Sequence, residues 1–341
     1  PAIASSRGEP KVELCGKKIL VTGASGFIGS HLCERLAHEN ELVALDDFSI
    51  GPRENLASLE GREGVRILRA DITDLDACRN ATRGVDVVFH LAISCLRTSL
   101  GNPQQSHDVN AGGSLQVCRA AQEAGVERFV YVSSSEIYGT AATVPMAESH
   151  PCKPMTVYGA SKLAGELYAL AYHRTYGLPV SVVRPFNTYG PREPYQGARA
   201  EVIPRFILSL LAGQPPVVYG DGTQTRDFTF VEDTVTGLVA AGGCDALVGD
   251  VVNLAFGREA SILRVAELLA GLIGQDLGPV HQAERPGDVD RHFADTSKAR
   301  ELFGFEPNTD LETGLGRTLE WFLAADILAR VGSKAAARPN W

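Results

Sequence analysis

Tyr158 and Lys162 stand four residues apart in Tyr158-Gly159-Ala160-Ser161-Lys162, a spacing that puts both side chains on one face of a helix. An ammonium beside a phenol stabilises the phenolate. The pair is therefore expected to bring the Tyr pKa down from about 10 and to serve as a general base. Y-x-x-x-K alone occurs on any exposed helix, so it needs context. Ser133-Ser134-Ser135 ends the preceding strand-like run and can set a hydroxyl beside the phenol. Far upstream, Thr22-Gly23-Ala24-Ser25-Gly26-Phe27-Ile28-Gly29 follows the apolar run Lys18–Val21 and leads into Ser30–Leu36, which has helical apolar spacing. A glycine-rich turn between a strand and a helix N-terminus can hold a pyrophosphate, because the backbone comes close and unpaired N–H groups point at the anion. The bare pattern also fits an ordinary βα turn. Asp46-Asp47, closing the run Glu41–Leu45, tips the balance: an acid about 20 residues on accepts from ribose hydroxyls. A carboxylate there repels a 2′-phosphate, so NAD is expected rather than NADP, with Arg53 the one nearby cation to argue otherwise.

These groups need a scaffold, and the chain alternates strand-like and helix-like segments to supply it. Val65–Arg69, Val85–Leu91, Arg128–Ser133 and Pro179–Arg184 read as strands; segments around Gly113–Ala124 and Tyr158–Tyr176 read as helices. Strands separated by helices imply βαβ units and a parallel sheet covered on both faces. Val85–Leu91 and Phe129–Val132 are nearly continuous apolar runs, as doubly buried strands are. From Phe186 the rhythm breaks into Gly- and Pro-rich stretches around a helix at Ile203–Ala212. The expected fold is α/β: a Rossmann-type doubly wound parallel sheet with a smaller C-terminal α/β substrate-binding lobe. Its expected parts are a flexible leader at 1–16, an NAD-binding unit at 17–187 with a return segment near 228–256, a lobe at 188–227 and 257–330, and a tail at 331–341.

Composition excludes other classes. The 341 residues are 44% hydrophobic with net charge −9, which argues against nucleic acid or an anionic membrane as partner. Seven cysteines, odd in number and without C-x-x-C pairing, read as reduced core thiols of a cytoplasmic protein. No metal is expected. No run reaches the ~18 apolar residues of a membrane span.

With the glycine turn, Ser, Tyr and Lys together, the chain resembles the extended branch of the short-chain dehydrogenase/reductase superfamily, the nucleotide-sugar epimerases, dehydratases and decarboxylases. T-G-x-x-G-F-I-G is that branch's glycine signature. The likeness continues through Asp71-Ile72, His90-Leu91-Ala92, Asn110, Ile137-Tyr138-Gly139, Arg184-Pro185-Phe186-Asn187, Tyr189-Gly190-Pro191-Arg192, Gly220-Asp221-Gly222, Arg226-Asp227-Phe228 and Arg285-Pro286-Gly287-Asp288. It implies NAD held by Gly23, Gly26, Phe27, Ile28, Gly29, Asp46, Asp47, Asp71, Ile72, Leu91, Ala92, Tyr158, Lys162 and Pro185. It implies a UDP-sugar met by Ser134, Ser135, Asn187, Val202 and Tyr219, with Arg226 and Arg285 on the diphosphate. A homodimer is the expected assembly. His90 reads as a hydrogen-bonded core residue.

The shared chemistry begins with oxidation at C4 of the sugar, with Tyr158 as base helped by Ser134 and Lys162. The 4-keto sugar can then turn over and be reduced, eliminate water, or lose a carboxylate. The 4,6-dehydratases similar to this chain carry Asp-Glu after the Ser/Thr; here Ser135 replaces the Asp and Glu136 remains. Ser-Glu resembles UDP-glucuronate decarboxylases, yet the Arg those enzymes carry before the Tyr is missing from Lys153–Val157. The setting of Tyr158 is closer to the 4-epimerases, and Arg97 and Arg192 are candidates to meet a uronate carboxylate. The expectation is a C4 epimerase of a UDP-hexose or UDP-glucuronate. Decarboxylation or 4,6-dehydration is the alternative, and a non-catalytic NAD-binding sensor a more distant one.

Overall fold

The computed structural model describes residues 14–284 and 289–332. Seven strands form one sheet: β1 (Lys18–Thr22), β2 (Glu41–Asp46), β3 (Val65–Arg69), β4 (Val87–His90), β5 (Arg128–Val132), β6 (Val180–Pro185) and β7 (Val251–Leu254). Every pairing is parallel, and the order is β7-β6-β5-β4-β1-β2-β3. This is the Rossmann-type sheet that the strand–helix alternation predicts. The chain reverses direction across the sheet between β1 and β4, which opens a crevice beyond the strand C-termini where ligands of such sheets bind.

Alternation along each strand divides the core in two. Ile19, Val21, Ala44, Phe89 and Val130 face helices α1 (Phe27–Leu36) and α6 (Val231–Gly242). Leu20, Val43, Val88, Phe129 and Tyr131 face α2 (Leu75–Thr82), α3 (Ser114–Ala124) and α4 (Val157–Tyr176). Helix α2 escapes the sequence reading because it is two turns long and buries only Cys78, Ala81 and Thr82; Asp74 caps it by accepting from the Asp76 and Ala77 N–H groups. A third cluster, Phe206, Ile207, Val265, Leu269, Leu315 and Phe322, joins α5 (Val202–Leu211), α7 (Ile262–Ile273) and α8 (Leu311–Ala324).

Helix α4 sits unusually. It starts where the Thr156 hydroxyl accepts from the Gly159 N–H at 3.0 Å. Its buried face carries Lys162 and Glu166, while Leu167 and Tyr168 are exposed. Gly165 lets it close on its neighbours, since a Cβ there would lie 2.3 Å from the Tyr131 hydroxyl and 2.7 Å from the Asn110 carbonyl. Glu166 makes a two-point ion pair with Arg184 of β6, at 3.1 and 2.5 Å. Arg184 also donates to the Tyr138 hydroxyl (2.7 Å) and the Glu148 carbonyl (3.0 Å), and Tyr138 donates to Asn253 of β7 (2.7 Å). The network fixes α4 to the strand ends.

Removing one partner of such a pair leaves a buried charge uncompensated. Glu166→Ala is expected to cost about 3–5 kcal/mol, read from the urea midpoint, with Glu166→Leu/Arg184→Met recovering most of the loss. A single-variant cost below about 1 kcal/mol would contradict this role.

Candidate active site

The glycines of the first turn do different work. Gly23 has φ +71°, and a Cβ on it would stand 2.7 Å from the Ala92 nitrogen. A Cβ on Gly29 would stand 2.0 Å from the Gly23 carbonyl, so α1 packs on the turn only through that glycine. Gly26 is the N-cap of α1; no side chain caps the helix and no acid lies in its first turn. The unpaired N–H groups and the positive end of the helix dipole suit a pyrophosphate. Gly26, Phe27, Ile28 and Gly29 line a cleft of about 740 Å³ that runs along the strand C-termini.

Asp46, ending β2, accepts from the Ser25 N–H (2.9 Å) and the Phe48 N–H (2.8 Å). Burial lifts its carboxyl above the usual carboxylate range, and these bonds hold it back. Asp47 lines the cleft beside it, exposed, accepting from the Ser49 N–H at 2.9 Å. Arg53 pairs with Glu60 at 2.8 Å. Asp71, Ile72, Leu91, Ala92 and Pro185 line the same cleft. Among these residues, the uncapped helix, the acid pair and the apolar flank fit an NAD molecule. His90 is fully buried between Thr22 (2.7 Å) and Ser114 (2.9 Å), and burial pulls its pKa down to about 3. It is a neutral core residue, as the sequence suggests.

At the middle of the cleft the Ser134 hydroxyl lies beside the Tyr158 phenol and accepts from the Glu136 N–H at 3.2 Å. Lys162 lies one turn along α4, 1% exposed, its Nζ donating to the Val132 carbonyl at 2.7 Å and standing 4.6 Å from the centre of the Tyr131 ring. Burial lowers the Lys162 pKa to about 7, opposed by Glu166. The Tyr158 phenol departs from expectation: its pKa lies above the ordinary value. Burial is the main cause, the Ser134 hydroxyl counters it, and Glu136, Cys95 and Glu201 push it further up. Lys162 does not reverse this, because its hydrogen bond goes to the backbone carbonyl of Val132.

Beyond Tyr158, the cleft is lined by Ser135, Glu136, Asn187 and Val202 of α5. The Asn187 Nδ2 is buried without a hydrogen-bond partner, and its backbone is left-handed at φ +25°. Glu193 and Glu201 also line this end. The sequence reading missed both, since an acid in a Gly/Pro loop and one before a helix read as solvated. Other expected contacts lie elsewhere. Arg97 is outside the cleft wall and pairs with Glu201 at 3.4 Å. Arg192 pairs with Glu34 of α1 at 2.8 Å. Tyr219 and Arg226 sit on the short strands Val217–Tyr219 and Thr225–Asp227, off the cleft, and the Arg226 guanidinium donates to the Thr225 carbonyl at 2.9 Å. Arg285 lies outside the described residues.

Known proteins share this arrangement. The chain is 39% identical over 309 residues to a UDP-glucose 4-epimerase of Mycolicibacterium smegmatis, covering 89% of this chain and 98% of that one. A UDP-N-acetylglucosamine 4-epimerase from Methanobrevibacter ruminantium, solved with UDP-N-acetylmuramic acid, superposes with a TM-score of 0.87 at 33% identity, over 91% of this chain and 99% of that one. A UDP-glucuronic acid 4-epimerase from Bacillus cereus, solved with UDP-glucuronic acid and NAD, gives 0.84 at 32% identity, over 90% and 99%. The NAD dependent epimerase/dehydratase family matches residues 19–255, and the chain belongs to that family.

Proposed function

We propose that the protein is an NAD-dependent 4-epimerase of UDP-sugars working through a 4-keto sugar. One observation carries the reading: the Ser134–Tyr158 pair opens into the same cleft as the uncapped glycine turn. Residues 17–187, with the return segment near 228–256, carry NAD in this reading; 188–227 and 257–330 carry the sugar nucleotide, with Arg226 and Arg285 kept as diphosphate ligands by resemblance. Exposed Leu167 and Tyr168 on α4 support a homodimer, and seven free thiols support a cytoplasmic setting.

NAD held along the Gly26–Gly29 turn, Asp46 and Asp47 would supply a reversible hydride acceptor. Tyr158 takes the proton of the sugar 4-hydroxyl and returns it after the keto sugar has turned over. Ser134 holds the phenol oxygen in place and can bridge it to the 4-oxygen. Lys162 keeps positive charge at the base of the phenol below about pH 7. Ser135 offers a hydroxyl where a dehydratase needs an acid, and a 4-epimerase has no use for that acid.

Tyr158→Phe should keep nucleotide binding and lower kcat at least ~10²-fold, measured by NMR of the sugar products; an unaffected rate would end the base assignment. In deuterated water the product should carry no deuterium on carbon, and Glu136→Gln should cost only a modest factor. Deuterium at C5 or C6, or carbon dioxide released from UDP-glucuronate, would favour dehydration or decarboxylation instead.

Lys162 also predicts a pH signature. Its folded pKa, about 7, lies below the unfolded value of about 10.4, so the unfolded chain binds more protons between these limits. The buried ammonium therefore costs stability in full below pH 7, and the cost fades as pH rises towards 10. Lys162→Met should abolish turnover yet gain stability relative to wild type, by about 2–3 kcal/mol more at pH 6 than at pH 9. Equal differences in unfolding midpoint at the two pH values would contradict this.

A further inference from the structure

We propose that Glu201, by engaging Arg97, and Glu193 make the reacting end of the cleft a site for an uncharged sugar and exclude a uronate. The inference rests on the nucleotide-sugar reading above. A desolvated carboxylate needs a cation or strong donors to offset lost hydration, and arginine is the side chain suited to it. The cations that line the cleft among the described residues are Lys162 and Arg199. Lys162 is tied to the Val132 carbonyl, and Arg199 donates to the Ser49 carbonyl at 2.8 Å, in the loop after β2 at the ribose end. Of the two arginines nearest a uronate by sequence, Arg192 is held by Glu34 and Arg97 by Glu201.

The acids are arranged the other way. Glu136, Glu193 and Glu201 line the cleft together with Tyr158. Glu193 is 4% exposed and accepts from the Gly190 N–H at 3.4 Å. Burial and the neighbouring Glu201 push its carboxyl well above the carboxylate range, and the unpartnered Asn187 Nδ2 in the same lining can donate to a sugar oxygen. A sugar carboxylate would meet Glu201 directly. A hydroxyl or N-acetyl group would find a donor and an acceptor.

The pairing makes the test a switch. Arg97 is mostly buried, its Nε has no hydrogen-bond partner, and its neighbours Leu96 and Thr98 line the cleft, so neutralising Glu201 releases from its ion pair a guanidinium held just behind the cleft wall. Dissociation constants for UDP-glucose and UDP-glucuronate would be measured on NAD-loaded Tyr158→Phe protein, and kcat/KM on the active enzyme. Wild-type discrimination should favour UDP-glucose by at least ~10²-fold. Glu201→Gln should shrink that ratio ~10-fold or more, and adding Arg97→Met should restore it. Glu201 is 44% exposed on its side chain, so the Gln variant is expected to fold. Tighter or equal binding of UDP-glucuronate by wild type, or an unchanged ratio in Glu201→Gln, would overturn the proposal. Discrimination in binding without any 4-epimer product would leave it standing and remove the epimerase reading instead.

Discussion

The buried ion pair between Glu166 and Arg184 is the constraint on which the site depends. It spans α4 and β6, with both side chains at most 5% exposed. Charges so far from water hold only when geometry and extra hydrogen bonds replace their hydration. Here they do: the guanidinium reaches Glu166, the Tyr138 hydroxyl and the Glu148 carbonyl together. Tyr138 follows directly on the Ser134–Ile137 turn, and Asn253 belongs to the last strand. One network therefore sets the helix that carries Tyr158 and Lys162, the turn that carries Ser134, and the edge of the sheet. It also explains why α4 buries a lysine and a glutamate while leaving a leucine and a tyrosine exposed.

Burial sets the chemistry of the groups so positioned. The same loss of water pushes the Tyr158 phenol up, the Lys162 ammonium down and the Glu193 carboxyl up. Each group is thereby biased towards its neutral form. A site with little fixed charge of its own responds strongly to the charge that arrives with cofactor and substrate.

The cleft divides its polar work between its ends. At the glycine turn, backbone N–H groups of an uncapped helix and two aspartates line the cleft. At the sugar end, side chains act: Asn187, Glu136, Glu193 and Glu201 stand where recognition and chemistry meet. The backbone end is common to NAD proteins of this architecture, whereas the side-chain end can change by single substitutions.

The sequence by itself determined the elements whose signals are local. The glycine turn, Asp46 at the end of β2, the Ser134 turn and the Tyr158/Lys162 face of α4 all follow from spacing over a few residues, and periodicity alone implied a parallel sheet. Tertiary structure decided everything that depends on partners distant in the chain. Arg97 and Arg192 look available for substrate, but the fold gives them to Glu201 and Glu34, 104 and 158 residues away. The direction of the Tyr158 shift could not be read from Y-x-x-x-K, because it sums burial with groups on other elements, and Lys162 spends its hydrogen bond on β5. Spacing fixes which side chains share a face; only packing fixes which charges meet and how much water they keep.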